Sequence, residues 1–422
     1  MPAESPRPPA ADDRPVLAIL APEITPYRLH FHRRIVREVP EMRLCSLVTW
    51  GSERSPWKPR TEEEARIGAV RLGEGEGARR TGRLATARVE WEKARAVGRW
   101  LDRHRPAAVM AAGYNELANL GAIRWAHRRG VPALMWADSN IHGDTATGPK
   151  RMAKRALLRW VLSRTNAVLP CGSLGREYYL RYGVPAERIF LCPYEPDYEQ
   201  IAACPPERTR EVAGRFGLAP SRRRILVCGR LAPVKRPDLA VDAFAAIADE
   251  RPEWDLVFAG DGPLREAVGA RIPERLRARV VFTGFIGEQG TVTALYHACD
   301  VLLHPAEFEP WALVINEAAA AGMAIVTTSV VGAAAELVRS GVNGRLCPPR
   351  DLPALIEGLR EVTHAERLAP MRAASLRLIE GWRREADPVQ GLRRALESCG
   401  VLGTGNRPPP RPRGPQRRQT HP

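Results

Sequence analysis

The amino-acid sequence predicts two α/β domains, each a doubly wound sheet flanked by helices. Short apolar runs alternate with longer amphipathic stretches along most of the chain, the pattern of parallel strands joined through helices. The alternation is interrupted between Pro193 and Arg224 by a stretch rich in Pro, acid and Arg, containing CPYEPDYE and CPPERTRE, which reads as a domain junction. The 422 residues, 44% hydrophobic and 27% charged, are enough for two cores and exclude wholesale disorder or a fibrous fold.

The elements follow in order. In the predicted first domain (15–195), PVLAIL is a strand, the Pro-bearing loop APEITPY leads into a helix over 28–39, and RLCSLVTW is the second strand. Residues 51–81, with GEGEGARRTGR, are polar and read as a flexible loop. A helix over 84–105, a strand at 107–112, a helix over 117–129, a strand at 132–136, a helix over 151–162 and a strand at 167–169 complete this domain. A linker (196–222) precedes the second domain (223–385), which RRILVCG opens. Its helices fall at 238–249, 264–268, 291–298, 312–321 and 352–362, and its further strands at DLVFAG, VVFTG, DVLLHP and AIVTTS. Residues 368–399 read as helical, with 386–404 as a terminal helix. The ends, 1–14 and 405–422, read as disordered, the second for its Pro/Arg composition without acid. The first holds no apolar run suited to a signal peptide.

The net charge is +16, from 64 Lys and Arg against 48 Asp and Glu. It does not indicate a nucleic-acid partner, because Arg is the default cation throughout and five Arg belong to the last eighteen residues. Only Lys58, Lys93, Lys150, Lys154 and Lys235 escape the preference for Arg. Eight cysteines lie scattered with no CxxC pair and no His at zinc spacing, the usage of a reduced cytosolic protein. The longest uncharged run, 318–335, is built of small residues between Glu317 and Glu336 and reads as helix–turn–strand–turn rather than a membrane span.

The chemistry concentrates in the second half. A strand ends at Gly229, and the following loop delivers Arg230 and Lys235. Glycine there lets a ligand approach the backbone at the sheet edge where ligands of open α/β folds sit. A compact ammonium kept amid so many Arg suits a phosphate, though each cation alone could be a solvated surface charge. The segment HPAEFEPWALVINEAAAAG places Glu309 and Glu317 eight residues apart, with Pro310 suited to a first helical turn. Eight residues of helix span about 12 Å. The two carboxylates therefore reach opposite ends of an extended ligand and cannot face each other across one bond as a glycosidase pair does. Free N–H groups from Trp311 through Ala312 and Leu313 to Val314 would face phosphates. Gly260 and Gly262 of GDGPLR form a tight turn, but no acidic residue follows at the spacing of an NAD fingerprint. No DxD able to hold a divalent ion to a diphosphate occurs, so the expected site needs no metal.

GRLxxxK at 229–235, GDGP at 260–263, EPWALVINE at 309–317 and GAAAELVRSGVNGRLCPPRD at 332–351 resemble, in order and spacing, the GT-B glycosyltransferases of family 4, retaining enzymes that use nucleotide sugars. The resemblance is dense from Leu226 to Val362 and loose before that. It implies two Rossmann-like domains facing an interdomain cleft, with a nucleotide-diphosphate sugar as donor. Arg230 and Lys235 would neutralise the diphosphate, Glu309 would hold the transferred sugar, Glu317 the ribose, and Phe285 and Ile286 would flank the nucleobase. Retention by front-face attack would leave the acceptor's proton on the leaving phosphate. Ala312 replaces the family's Gly, Ala306 its Ser, and APEITPYR its Gly-Gly loop. The Pro-Tyr-Arg entry and WADSN are similar to a bacterial polysaccharide branch.

By the same resemblance the first half takes the acceptor, a saccharide or lipid-linked molecule. Tyr27, Arg28, Tyr114, Asn115, Asp138, Asn140 and His142 stand at its strand ends as candidates, with His142 a candidate catalytic base, although Asp, Asn and Ser there also serve as caps and turns. KRMAKRALLRWVLSR is a basic amphipathic stretch that either lies on an anionic membrane surface, placing the enzyme on its cytoplasmic face, or packs on the sheet with solvated cations. Two rival functions remain: a sugar-nucleotide epimerase of the same fold, and a basic binding module on a degenerate transferase fold.

Overall fold

The computed structural model describes residues 12–49, 61–72 and 83–403. The predicted tails therefore lie outside the described residues except for Asp12–Arg14, where Arg14 bonds the Pro40 carbonyl oxygen at 3.0 Å. The first sheet comprises β1 (Val16–Ala21), β2 (Arg43–Val48), β3 (Ala69–Arg71), β4 (Ala108–Ala112), β5 (Ala133–Ala137) and β6 (Ala167–Pro170). All are parallel, in the order β3-β2-β1-β4-β5-β6. The second sheet comprises β7 (Arg223–Cys228), β8 (Trp254–Ala259), β9 (Val280–Gly284), β10 (Val301–His304), β11 (Ala324–Thr328) and β12 (Gly344–Cys347), in the order β12-β11-β10-β7-β8-β9. Each sheet reverses its winding beside its first strand, which opens a crevice at the carboxyl ends of β1/β4 and β7/β10.

The central strands read as continuous apolar runs because both faces are covered. On one face of the first sheet Leu17, Ile19 and Trp136 pack under the helix Pro26–Glu38; on the other, Ala18, Leu20 and Val109 meet Arg83–His104 and Leu117–Arg129. The second sheet alternates likewise, Leu226 and Leu302 facing Gln289–His297 and Leu313–Ala320, and Ile225 and Phe258 facing Pro237–Ile247 and Leu352–Val362.

Several elements differ from expectation. Part of the predicted 51–81 loop is ordered: a helix Thr61–Arg66, opened by Glu62–Glu64, and β3, paired to Ser46–Val48, with Ile67 buried between them. Residues 196–222 form two helices, Tyr198–Ala202 and Pro206–Arg215, whose Tyr198, Ile201 and Val212 enter the second core. The helices Ser173–Arg181 and Gly332–Leu337 and strand β12 are additional. The stretch 368–399 is two helices, Ala365–Glu385 and Pro388–Ser398, divided at Asp387, which caps Gln390 N at 2.9 Å ahead of Pro388. The second of these returns to the first domain and buries Val389, Leu392, Ala395 and Leu396 in its core. Arg34 ties both crossings together, bonding Glu195 at 2.7 Å and Asp387 at 2.6 Å. No helix among the described residues is long and apolar enough to cross a membrane, and 318–335 resolves into a helix end, β11 and Gly332–Leu337.

Candidate functional site

A cleft of about 770 Å³ lies between the domains. Thr25, Pro26 and Tyr27 after β1, with His30, form one wall; Gly229 and Arg230 after β7, Gly260 after β8, Phe285 and Ile286 after β9, and Glu317 form the other. The winding reversals bring these segments to one place, since each follows a strand's carboxyl end.

The two glycine turns are required sterically. Gly229 and Gly260 adopt φ of 131° and 142°, and a Cβ on Gly260 would collide with the Gly229 carbonyl oxygen. A Cβ on Gly262 would meet the backbone of Leu231. These contacts hold the β7 and β8 loops together and aim Arg230, which is exposed and has no carboxylate partner among the described residues. Lys235, on the turn Pro233–Lys235, pairs its ammonium with the Glu309 carboxylate. Burial pushes the lysine down to about 8, while the carboxylate against it acts the other way. His304, closing β10, lies 3.9 Å from Glu309 Oε1 and leaves Nε2 without a partner. Burial, and then the charge of Lys235, push His304 down to about 3, so its imidazole is neutral.

The segment 309–317 departs from the predicted geometry. The helix begins at Leu313, not at Pro310, and Glu309 precedes it in a turn that Ala312 closes in the left-handed region at φ 75°. This is the position where the resembled family carries Gly, and the backbone conformation explains the preference. Ile315 N is the first to bond back, to Ala312 O at 3.1 Å, so the amides of Leu313 and Val314 precede the ladder. The role expected of Trp311 is that of its backbone N–H, and its side chain is committed elsewhere: it is 3% exposed, and its Nε1 donates to Tyr194 O at 2.8 Å across the domain seam. Only its backbone stays available. Glu317 accepts Gln289 Nε2 at 2.9 Å and Tyr296 OH at 2.8 Å, and burial raises its carboxyl.

On the first domain, Tyr27 lines the cleft and Arg28 is buried behind it. Asp138 sits half-buried in a narrow crevice with Asn140, Pro310 and Trp311, and burial raises its carboxyl. Asn140 is not a free acceptor ligand. Its Oδ1 accepts from His142 N and Gly143 N at 3.0 and 3.2 Å, and its Nδ2 donates to the carbonyls of Glu309 and Pro310, both at 3.1 Å, so every polar position is occupied. His142 is exposed on the turn Ile141–Gly143, which packs against Phe308. Tyr114 is buried, its hydroxyl 3.0 Å from that of Tyr178, and Asn115 is exposed; neither lines the cleft. Sequence reasoning missed His304, the Asn140 bridge, and Glu336, which accepts Ser173 N at 2.6 Å across the seam. A lone polar residue ending an apolar strand was the only available signal for His304.

A family model described as "Glycosyl transferase 4-like domain" matches residues 24–195, and one described as "Glycosyl transferases group 1" matches 210–375. Over 296 residues the chain is 28% identical to a GDP-mannose-dependent alpha-(1-6)-phosphatidylinositol dimannoside mannosyltransferase of Mycobacterium tuberculosis, covering 68% of this chain and 73% of the relative. It is 33% identical over 257 residues to a glycogen synthase from the same species, covering 58% and 57%. Among solved structures, Anabaena Alr3699/HepE in complex with UDP and glucose superposes with a TM-score of 0.69 at 17% identity, over 92% of this chain and 100% of that one.

Proposed function

As a GT-B glycosyltransferase built from a glycosyl transferase 4-like half and a group 1 half, the chain is a hexosyltransferase-type enzyme, and we propose that it moves a hexose or related sugar from a nucleoside-diphosphate sugar to a saccharide or lipid-linked acceptor in cell-surface polysaccharide or glycoconjugate synthesis. The observation that carries the reading is the cleft at the second sheet's winding reversal, lined by Gly229, Arg230 and Glu317, with Lys235 on the same loop as Arg230 and paired to Glu309. The relative named for GDP-mannose and the neighbour bound to UDP support a GDP or UDP donor.

In this reading the bond between sugar C1 and the diphosphate oxygen breaks and its electron pair stays on the phosphate. Arg230 and Lys235 stabilise that growing charge. The acceptor hydroxyl bonds to C1 on the same face and passes its proton to the leaving phosphate oxygen, retaining configuration without a carboxylate nucleophile. Glu309 holds sugar hydroxyls, Glu317 the ribose, and Phe285 and Ile286 the base. Two cations take the place of a divalent ion. The enzyme works in the cytoplasm, on the inner membrane face.

Calorimetry with UDP and GDP in EDTA tests this. One of them binds, Lys235→Ala weakens it about tenfold or more, and Glu309→Ala keeps nucleotide affinity but loses about 100-fold or more of transfer. Absence of binding in EDTA overturns the metal-free donor site, and unchanged turnover in Glu309→Ala rejects its role.

A further inference from the structure

The first turn of the helix Pro26–Glu38 carries a buried charge that no ion pair among the described residues matches. Arg28 is 8% exposed, yet it forms no ion pair among the described residues. Its Nη1 donates to the Glu23 carbonyl oxygen at 3.1 Å, Tyr194 is a polar neighbour, and Nε has no partner. Two carboxyls feel its charge, Glu23 and the half-buried Asp138; neither forms an ion pair with it, and burial pushes Asp138 toward the neutral form. Buried guanidinium groups are ordinarily matched by carboxylates, because removing an unpaired charge from water is costly.

The backbone beside Arg28 favours an anion as well. Thr25 is the N-cap residue, but its hydroxyl caps nothing and has no partner, although the residue is 7% exposed. Pro26 has no N–H, and Leu29 N makes the first helical bond, to Thr25 O at 2.9 Å, so the amides of Tyr27 and Arg28 open a 13-residue helix. Such a terminus carries partial positive charge. Thr25, Pro26 and Tyr27 line the interdomain cleft on the wall that does not hold Gly229 and Arg230, and Arg28 lies buried behind them.

We propose that Arg28, the Thr25 hydroxyl and these amides form an anion subsite that takes a phosphate or carboxylate carried by the acceptor, so that the enzyme glycosylates an anionic acceptor rather than a neutral saccharide. This rests on the glycosyl-transfer reading above. The planar fork of Arg28 suits either group through paired N–H bonds.

The test titrates inorganic phosphate into full-length protein already saturated with the nucleotide it binds, which fills the donor diphosphate site. Phosphate binds in the millimolar range, Arg28→Gln weakens it tenfold or more, Thr25→Val weakens it severalfold, and nucleotide affinity is unchanged in both. Transfer to glucose 6-phosphate, glucuronic acid and glucose then separates the sources: the preferred anionic sugar exceeds glucose tenfold or more in kcat/KM, and Arg28→Gln abolishes the preference. Phosphate binding that is absent, or equal in Arg28→Gln and Thr25→Val, overturns the proposal while nucleotide binding leaves the transferase reading standing. If Arg28→Gln does not fold, Thr25→Val alone decides. Protein that binds no nucleotide fails the transferase reading instead.

Discussion

Lys235 is one of five lysines among 64 cations, and the structure shows what a compact ammonium does there. It reaches the Glu309 carboxylate from a three-residue turn, while burial draws its pKa down to about 8. A diphosphate needs the protonated form, so nucleotide affinity weakens as pH rises through about 8, with Glu309 moving the midpoint upward. Calorimetry from pH 6.5 to 9.5 shows this fall in the wild type, and Lys235→Arg removes it because guanidinium stays charged. A pH-independent affinity would detach Lys235 from the diphosphate. Ala312 is the complementary case, a residue at odds with its own backbone. A left-handed alanine costs roughly 1–2 kcal/mol, and glycine's greater unfolded freedom offsets about 0.5–1 of that. Ala312→Gly therefore raises stability by about 0.5–1 kcal/mol in urea denaturation.

At the scale of elements, the strands most legible in the sequence are those buried on both faces. VLAILA, ALMWA and RRILVC could be placed because their apolar runs are continuous, whereas β3 is three half-buried residues on an edge and β12, GRLC, begins with Gly and Arg. The same distinction applies to the site. Lys235, Glu309 and Glu317 stand in segments whose spacing resembles a known motif, while His304 and Asn140 acquire meaning only from partners on elements remote in sequence. The terminal helix illustrates a further gap: its apolar face was visible, but its destination was not. Pro388–Ser398 packs on the first domain, with Leu392 fully buried against residues more than 300 positions earlier. Leu392→Ala is expected to cost about 3 kcal/mol. Because that helix follows the second crossing, the loss also lowers the first domain's protection in hydrogen exchange. Destabilisation confined to the helix itself would show that it contributes nothing to the first core.

For the molecule as a whole, the surplus of positive charge matters through its distribution. Much of the Arg is engaged: Arg34, Arg222, Arg236 and Arg360 all hold carboxylates. The helix Gly148–Leu162 is different. Lys154 pairs with Asp144 at 2.9 Å, and Leu158, Val161 and Leu162 pack inward, which decides the inner face in favour of the sheet. Lys150, Arg151, Arg155 and Arg159 are exposed without ion-pair partners among the described residues, the three arginines forming one ridge at four-residue intervals, with Met152 75% exposed beside them. A cation near an anionic bilayer contributes about 1 kcal/mol, so four together favour adsorption strongly at low salt and weakly at high salt. Full-length protein is accordingly expected to sediment with vesicles containing 30% phosphatidylserine and not with phosphatidylcholine alone. Changing Arg151 and Arg155 to Glu lowers the bound fraction about tenfold or more while leaving nucleotide affinity intact, because neither residue lines the cleft. Equal partitioning onto both lipids, or onto wild type and the double variant, would assign these cations to solvation alone and place membrane recruitment, if it occurs, on another surface.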